Sequence, residues 1–244
     1  MGVFFATIST EPYWLSVAVV STSCVVLCTW ARLRPGHWSA TAAKVIGLVL
    51  LSVCVVDTVR QLVDGTWSAR TSLPLALCNF ALIVAAAACW TRARQLVELT
   101  YFWALAGTLQ GLLTPDLNVP FPHVEFFEYV LGHTLIIVAA LFLVVGMRIQ
   151  PRRGSVWRAA IITYIYVALV GLVDALIRAN YMFLRHAPHQ WTLLRLMGPY
   201  PWYLVTGVVL VPLFFTLLYS PFWLARRRDD ASPRPIVASM RSRS

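Results

Sequence analysis

An all-α bundle of about seven transmembrane helices is the fold class this sequence predicts, from three observations. Hydrophobic residues make up 59% of the 244, and the mean hydropathy is +0.71. Charged residues are only 12%, too few to cover the water-facing surface of a soluble globule. The apolar residues also fall in blocks of about 20, long enough to cross a bilayer core of about 30 Å.

The blocks place helices at 13–30, 42–60, 74–90, 96–113, 126–147, 157–178 and 202–224. The first precedes every basic residue, Arg32 being the earliest, so it reads as a helix and not as a signal peptide. The second ends at Asp57 and Arg60, three apart and able to pair. The third carries Cys78 and Asn79 near its mouth. The fourth is interrupted by Glu98, Thr108 and Gln110, yet without it the basic loops would fall on conflicting sides. The fifth holds His133 in YVLGHTLIIV. The sixth closes with Asp174 and Arg178, at an ion-pair spacing. Beyond the seventh, RRRDDASPRPIVASMRSRS is polar and rich in Pro, Ser and Arg. The domain reading is a transmembrane unit over 1–225 and a disordered basic cytoplasmic tail over 226–244.

The net charge of +10 does not indicate a nucleic-acid partner, because the basic residues sit in short loops and form no stripe. They assign sides instead. Loops after odd-numbered helices, with the tail, hold Arg32, Arg34, Lys44, Arg92, Arg94, Arg148, Arg152, Arg153, Arg158 and six tail arginines. The other side has Arg60, Arg70, Arg178, Arg185 and Arg195. The positive-inside rule then puts the C-terminus in the cytoplasm and the N-terminus outside a multi-pass protein of the cell membrane.

With that orientation, at about 1.5 Å per residue, Cys78 lies about 6 Å and His133 about 10 Å below the outer helix ends. Asp57, Gln110 and Asp174 share this outer zone. Glu98 is at the inner end, where Arg92 and Arg94 are its candidate partners. Ionisable groups at membrane depth usually face a bundle interior or cavity. Each also has a plain structural reading: ion pairs for Asp57 and Asp174, packing for Cys78, a backbone carbonyl bond for His133, an interhelical bond for Asn79. Trp103, Gly107, Gln110 and Thr114 form one stripe of the fourth helix, with Gly107-x-x-x-Gly111 suited to close contact. The loop TPDLNVPFPHVEFFEY reads as an ordered lid. All five cysteines fall within apolar segments, which disfavours disulfides. No His-x-x-x-His or paired-cysteine spacing calls for a metal, and no cofactor is expected.

The strings LPLALCNFA, ELTYFWALAGTLQGLLTPDL and FFEYVLGHTLIIVAALFLV together resemble the YwaF-type bacterial integral membrane family, related to human transmembrane protein 164. The similarity spans roughly residues 70–222. It implies an acyltransferase acting on membrane phospholipids through an acylated cysteine with a histidine partner. Cys78 in LCNF matches the cysteine, and His133 matches the histidine. This chain departs from the family at Asn79 and Ala76, where relatives carry histidine.

Two functions follow as expectations. One is a lipid acyltransferase or acyl hydrolase in which Cys78 attacks an ester and His133 moves the proton, because a free thiol gives little thiolate at neutral pH. Asn79, Gln110 or Asp174 would then orient His133 or stabilise the oxyanion. The alternative is a non-enzymatic transporter or lipid-binding membrane protein, with the outer polar cluster as its vestibule.

Overall fold

The computed structural model describes residues 11–115, 119, 121–187 and 196–231. Its helices are α1 (Glu11–Leu33), α2 (His37–Val63), α3 (Leu77–Thr91), α4 (Arg94–Leu113), α5 (Val124–Gly146), α6 (Ser155–Ile177) and α7 (Trp202–Ala231). Among the described residues there is no strand, and the seven expected helices are all present. Six are long and apolar enough to cross a membrane. The exception is α3, with 15 residues, or about 22 Å at the helical rise.

The reason α3 starts late is local. Residues 74–76 were expected to be helical, but Ala76 is an extended N-cap. The backbone before it finds partners elsewhere: Tyr166 Oη of α6 donates to the Leu75 carbonyl at 2.9 Å, and the Leu73 N–H donates to Tyr181 Oη at 2.8 Å. Tyr181 Oη in turn donates to the Ala69 carbonyl at 3.1 Å. Three tyrosine contacts thus do for this segment what a helix ladder would otherwise do.

α5 is the central helix, packed against α1, α2, α3 and α4. On the far side of α4 lie α6 and then α7, which meets α6 and the middle of α4. α3 fits among these because small residues make up most of its buried face, Ala81, Ala85, Ala86, Ala88 and Cys89 beside Leu82 and Val84. With little hydrophobic drive between helices in lipid, such close backbone contact is what holds them. Gly47 of α2 shows how close: a Cβ there would come within 2.9 Å of the Trp90 ring and 3.1 Å of the Ala86 carbonyl.

Two helices depart from α geometry. α4 has a π segment at Ala104–Thr108, and α5 ends in one at Phe142–Gly146. The first corrects the expected Trp103–Gly107–Gln110–Thr114 stripe, since one extra residue in a turn rotates everything after it by about 100°. In the second, the Val145 carbonyl takes a bond from Arg32 Nε at 2.9 Å.

α7 continues to Ala231, six residues into the segment expected to be a disordered tail. Its arginines are held by neighbours: Arg226 donates to Tyr219 Oη at 2.5 Å and to the Pro151 carbonyl, and Arg227 lies over the Trp223 ring at 3.8 Å. Arg195 and the tail from 232 onward lie outside the described residues.

Candidate functional site

α2, α3 and α5 enclose a cavity of about 310 Å³ at the end of the bundle that carries Asp57. Cys78, Asn79 and His133 line it, with Tyr129, Asp57 and Glu128. The sequence therefore located three of its five candidate residues in one place.

Cys78 is the second residue of α3, in its first turn. Helix geometry leaves the first N–H groups without intrahelical partners. Phe80 N–H is the earliest to bond to a backbone carbonyl, that of Ala76 at 3.0 Å, so the Leu77 and Asn79 N–H groups have no such partner among the described residues. The late helix start thus puts the thiol in the first turn of α3, at the end of the helix where backbone N–H groups point outward. Asn79 is exposed beside it, and its amide makes no interhelical bond among the described residues, although such a bond was the plain reading.

His133 is fixed from two sides. Its Nδ1 is 2.9 Å from the Tyr129 carbonyl. A carbonyl only accepts, so Nδ1 carries the proton and the lone pair of the neutral ring is on Nε2. The Tyr129 ring stacks on the imidazole with centroids 4.0 Å apart and 25° between planes. Tyr129 is itself tethered, donating from Oη to the Gly111 carbonyl at 2.7 Å. That carbonyl is available because Pro115, four residues on, has no N–H to offer it. Tyr13 of α1 takes the next carbonyl, Leu112, at 2.6 Å. Gly111 also gives the imidazole its room: a Cβ there would sit 3.3 Å from His133 Cδ2 and Nε2.

The other candidates do not join the cavity lining. Gln110 is half-buried on α4 and rotated by the π segment. Asp174 is fully buried at the end of α6, where its Oδ1 accepts the Tyr181 N–H at 3.0 Å and anchors the following turn. The expected Asp174–Arg178 ion pair is absent among the described residues. Arg178 is the left-handed C-cap of α6, so its side chain leaves the face that Asp174 occupies.

The Asp57–Arg60 pair is present at 2.8 Å but belongs to a larger cluster. Arg60 also meets Glu125 at 2.9 Å, Glu128 at 3.1 Å and Asp64 at 3.8 Å. The expected lid lies partly outside the described residues; from Val124 onward that stretch is helix, so Glu125 and Glu128 project from α5 across to α2. Proline followed by acid in the first turn was the available signal for that helix start.

At the opposite end, Glu98 pairs with Arg152 at 2.9 Å and Arg158 at 3.2 Å, and not with Arg92 or Arg94. Glu98 is buried on the inward face of α4, whereas Arg92 and Arg94 are exposed. The carboxylate beside Arg152 raises that guanidinium above its ordinary range, so it stays charged.

An all-helical, multi-pass membrane protein with a polar cavity near one end of its bundle is the class these features define. The chain belongs to the TMEM164 family, which it matches over residues 5–219. It is 29% identical over 212 residues to an uncharacterized protein of Treponema pallidum (strain Nichols), covering 85% of each chain. No solved structure matches it.

Proposed function

We propose that the chain is a membrane-embedded lipid acyl-transfer enzyme with Cys78 as nucleophile and His133 as base. The observation that carries this reading is the shared cavity. A thiol in the first turn of α3 and an imidazole whose lone pair is on Nε2 line the same space, near the end of the helices where glycerolipid esters lie.

In this mechanism the Cys78 Sγ–H proton passes to His133 Nε2. The thiolate attacks the ester carbonyl carbon, forming a C–S bond while the π pair moves to oxygen. The open N–H groups at the start of α3, with the Asn79 amide, stabilise that oxyanion. Collapse breaks the ester C–O bond, and the leaving alkoxide takes the proton from the imidazolium. A hydroxyl or water, deprotonated by Nε2, then attacks the thioester and restores Cys78. A lipid hydroxyl gives transfer and water gives hydrolysis.

The charge asymmetry of the loops supports a cytoplasmic C-terminus and an extracytoplasmic cavity mouth. A solute path would need acids through the other half of the bundle, and Glu98 there is tied to two arginines. Incubation of the purified chain with phospholipid carrying a clickable acyl chain tests the reading. Wild type becomes labelled and Cys78→Ala does not, while His133→Ala labels at least a hundredfold more slowly. Equal labelling of wild type and Cys78→Ala would remove the cysteine from the mechanism.

A further inference from the structure

Six threonines of this chain, Thr58, Thr91, Thr114, Thr134, Thr163 and Thr216, donate their hydroxyls to the carbonyl four residues earlier. Thr108 does not. Its side chain is fully buried and its hydroxyl has no hydrogen-bond partner. The carbonyl it would use is that of Ala104, and the π segment, in which the Leu109 N–H reaches back to that carbonyl, changes the turn geometry that the back-bond needs. A buried orphan hydroxyl is destabilising, and π segments recur at functional sites.

The hydroxyl stands beside the Cys78 sulfur but makes no hydrogen bond of normal geometry to it. α3 comes this close because Gly107 precedes Thr108: a Cβ at that glycine would lie 3.1 Å from the Leu77 side chain. Thr108 is not among the residues lining the cavity. It therefore addresses the sulfur from behind and not the ester oxygen.

We propose that Thr108 is the hydrogen-bond donor to the Cys78 thiolate, a catalytic residue of the reaction outlined above and dependent on that reading. A neutral thiol is a weak acceptor, whereas a thiolate is a charged one that draws a stronger bond. When His133 takes the thiol proton, the Thr108 O–H turns onto the sulfur. No proton leaves Thr108. The bond is released as the sulfur lone pair becomes the C–S bond, and it re-forms when Cys78 departs from the thioester.

The test is the pH dependence of Cys78 alkylation by a small maleimide, read by mass spectrometry of the Cys78 peptide in the purified full chain. Thr108→Val is expected to slow alkylation about tenfold at neutral pH, with the wild-type and variant rates converging at high pH. Its Tm stays level or rises, because an unpartnered buried hydroxyl has been removed. Thr108→Ser restores the rate. Thr100→Val, which removes another buried unpartnered hydroxyl of α4, leaves it unchanged. A Thr108→Val rate equal to wild type overturns the proposal, as does slowing by the same factor at every pH. Should Thr108→Val lose stability, Thr108→Ser with the wild-type profile and Thr108→Ala with the slowed one carry the same test. Alkylation needs no lipid. A shifted profile without acyl labelling of wild type therefore sinks the acyl-transfer reading alone, and labelling with an unshifted profile sinks the role of Thr108 alone.

Discussion

Gly111 and Tyr129 set the position of the imidazole, one by leaving space and the other by filling it. In Gly111→Ala the new methyl group presses on His133 Nε2 and Cδ2 from 3.3 Å, and the ring must give by a few tenths of an ångström. The expected outcome is a loss of about 1 kcal/mol in thermal unfolding, with acyl labelling of Cys78 about tenfold slower. Tyr129→Phe keeps the stacked ring but strands the Gly111 carbonyl, whose alternative donor Pro115 does not provide. A stability loss of about 1–3 kcal/mol follows, measurable by thermal unfolding in detergent. The i,i+4 spacing of Tyr129 and His133 was legible in the sequence. The contact of both with α4 was not, because it depends on how the π segment turns Gly111.

At the scale of the element, α3 and α4 work as a pair. The late start of α3 brings Cys78 into its first turn, and the π segment of α4 places Thr108 and Gly111 next to α3 and α5. Neither irregularity is visible to hydropathy, which sees only that the residues are apolar. α4 also anchors the other end of the bundle through Glu98, whose side chain is 4% exposed. Glu98→Gln is expected to lower unfolding stability by about 2 kcal/mol. This is less than the figure for breaking a fully buried pair, because both arginines reach solvent. Thermal unfolding of the variant checks this, and Cys78 alkylation at the distant end should be unchanged.

For the whole molecule, the open end of the bundle is closed around one cation. Arg60 is the common partner of Asp57, Asp64, Glu125 and Glu128, and it joins α2 to α5 beside the cavity. Arg60→Gln leaves four carboxylates facing one another. Tm should fall, most at low ionic strength, and recover partly in high salt as screening weakens their repulsion; equal loss at all salt concentrations would show that packing and not charge holds this corner. The proposed orientation makes a further prediction. A reporter fused after Ser244 should be active only on the cytoplasmic side, and a membrane-impermeant maleimide should reach a cysteine introduced at Asp64 in intact cells.

The sequence by itself determined the class of fold, the number of helices and most of their limits. These follow from composition and block length, which the bilayer constrains directly. It also singled out Cys78 and His133, through motif resemblance and similar depth along their helices. Tertiary structure alone decided which polar groups meet. Asp174 turned from candidate site residue to loop anchor, Glu98 took its arginines from the start of α6 and the loop before it, and Glu125, expected in a loop, joined Glu128 on α5 facing Arg60. The physical reason is that depth along a helix is encoded locally, whereas the direction a side chain faces depends on where each helix starts and whether its turns are regular. Here the start of α3 goes with contacts to segments far apart in the chain, and the π segment of α4 turns the side chains that follow it.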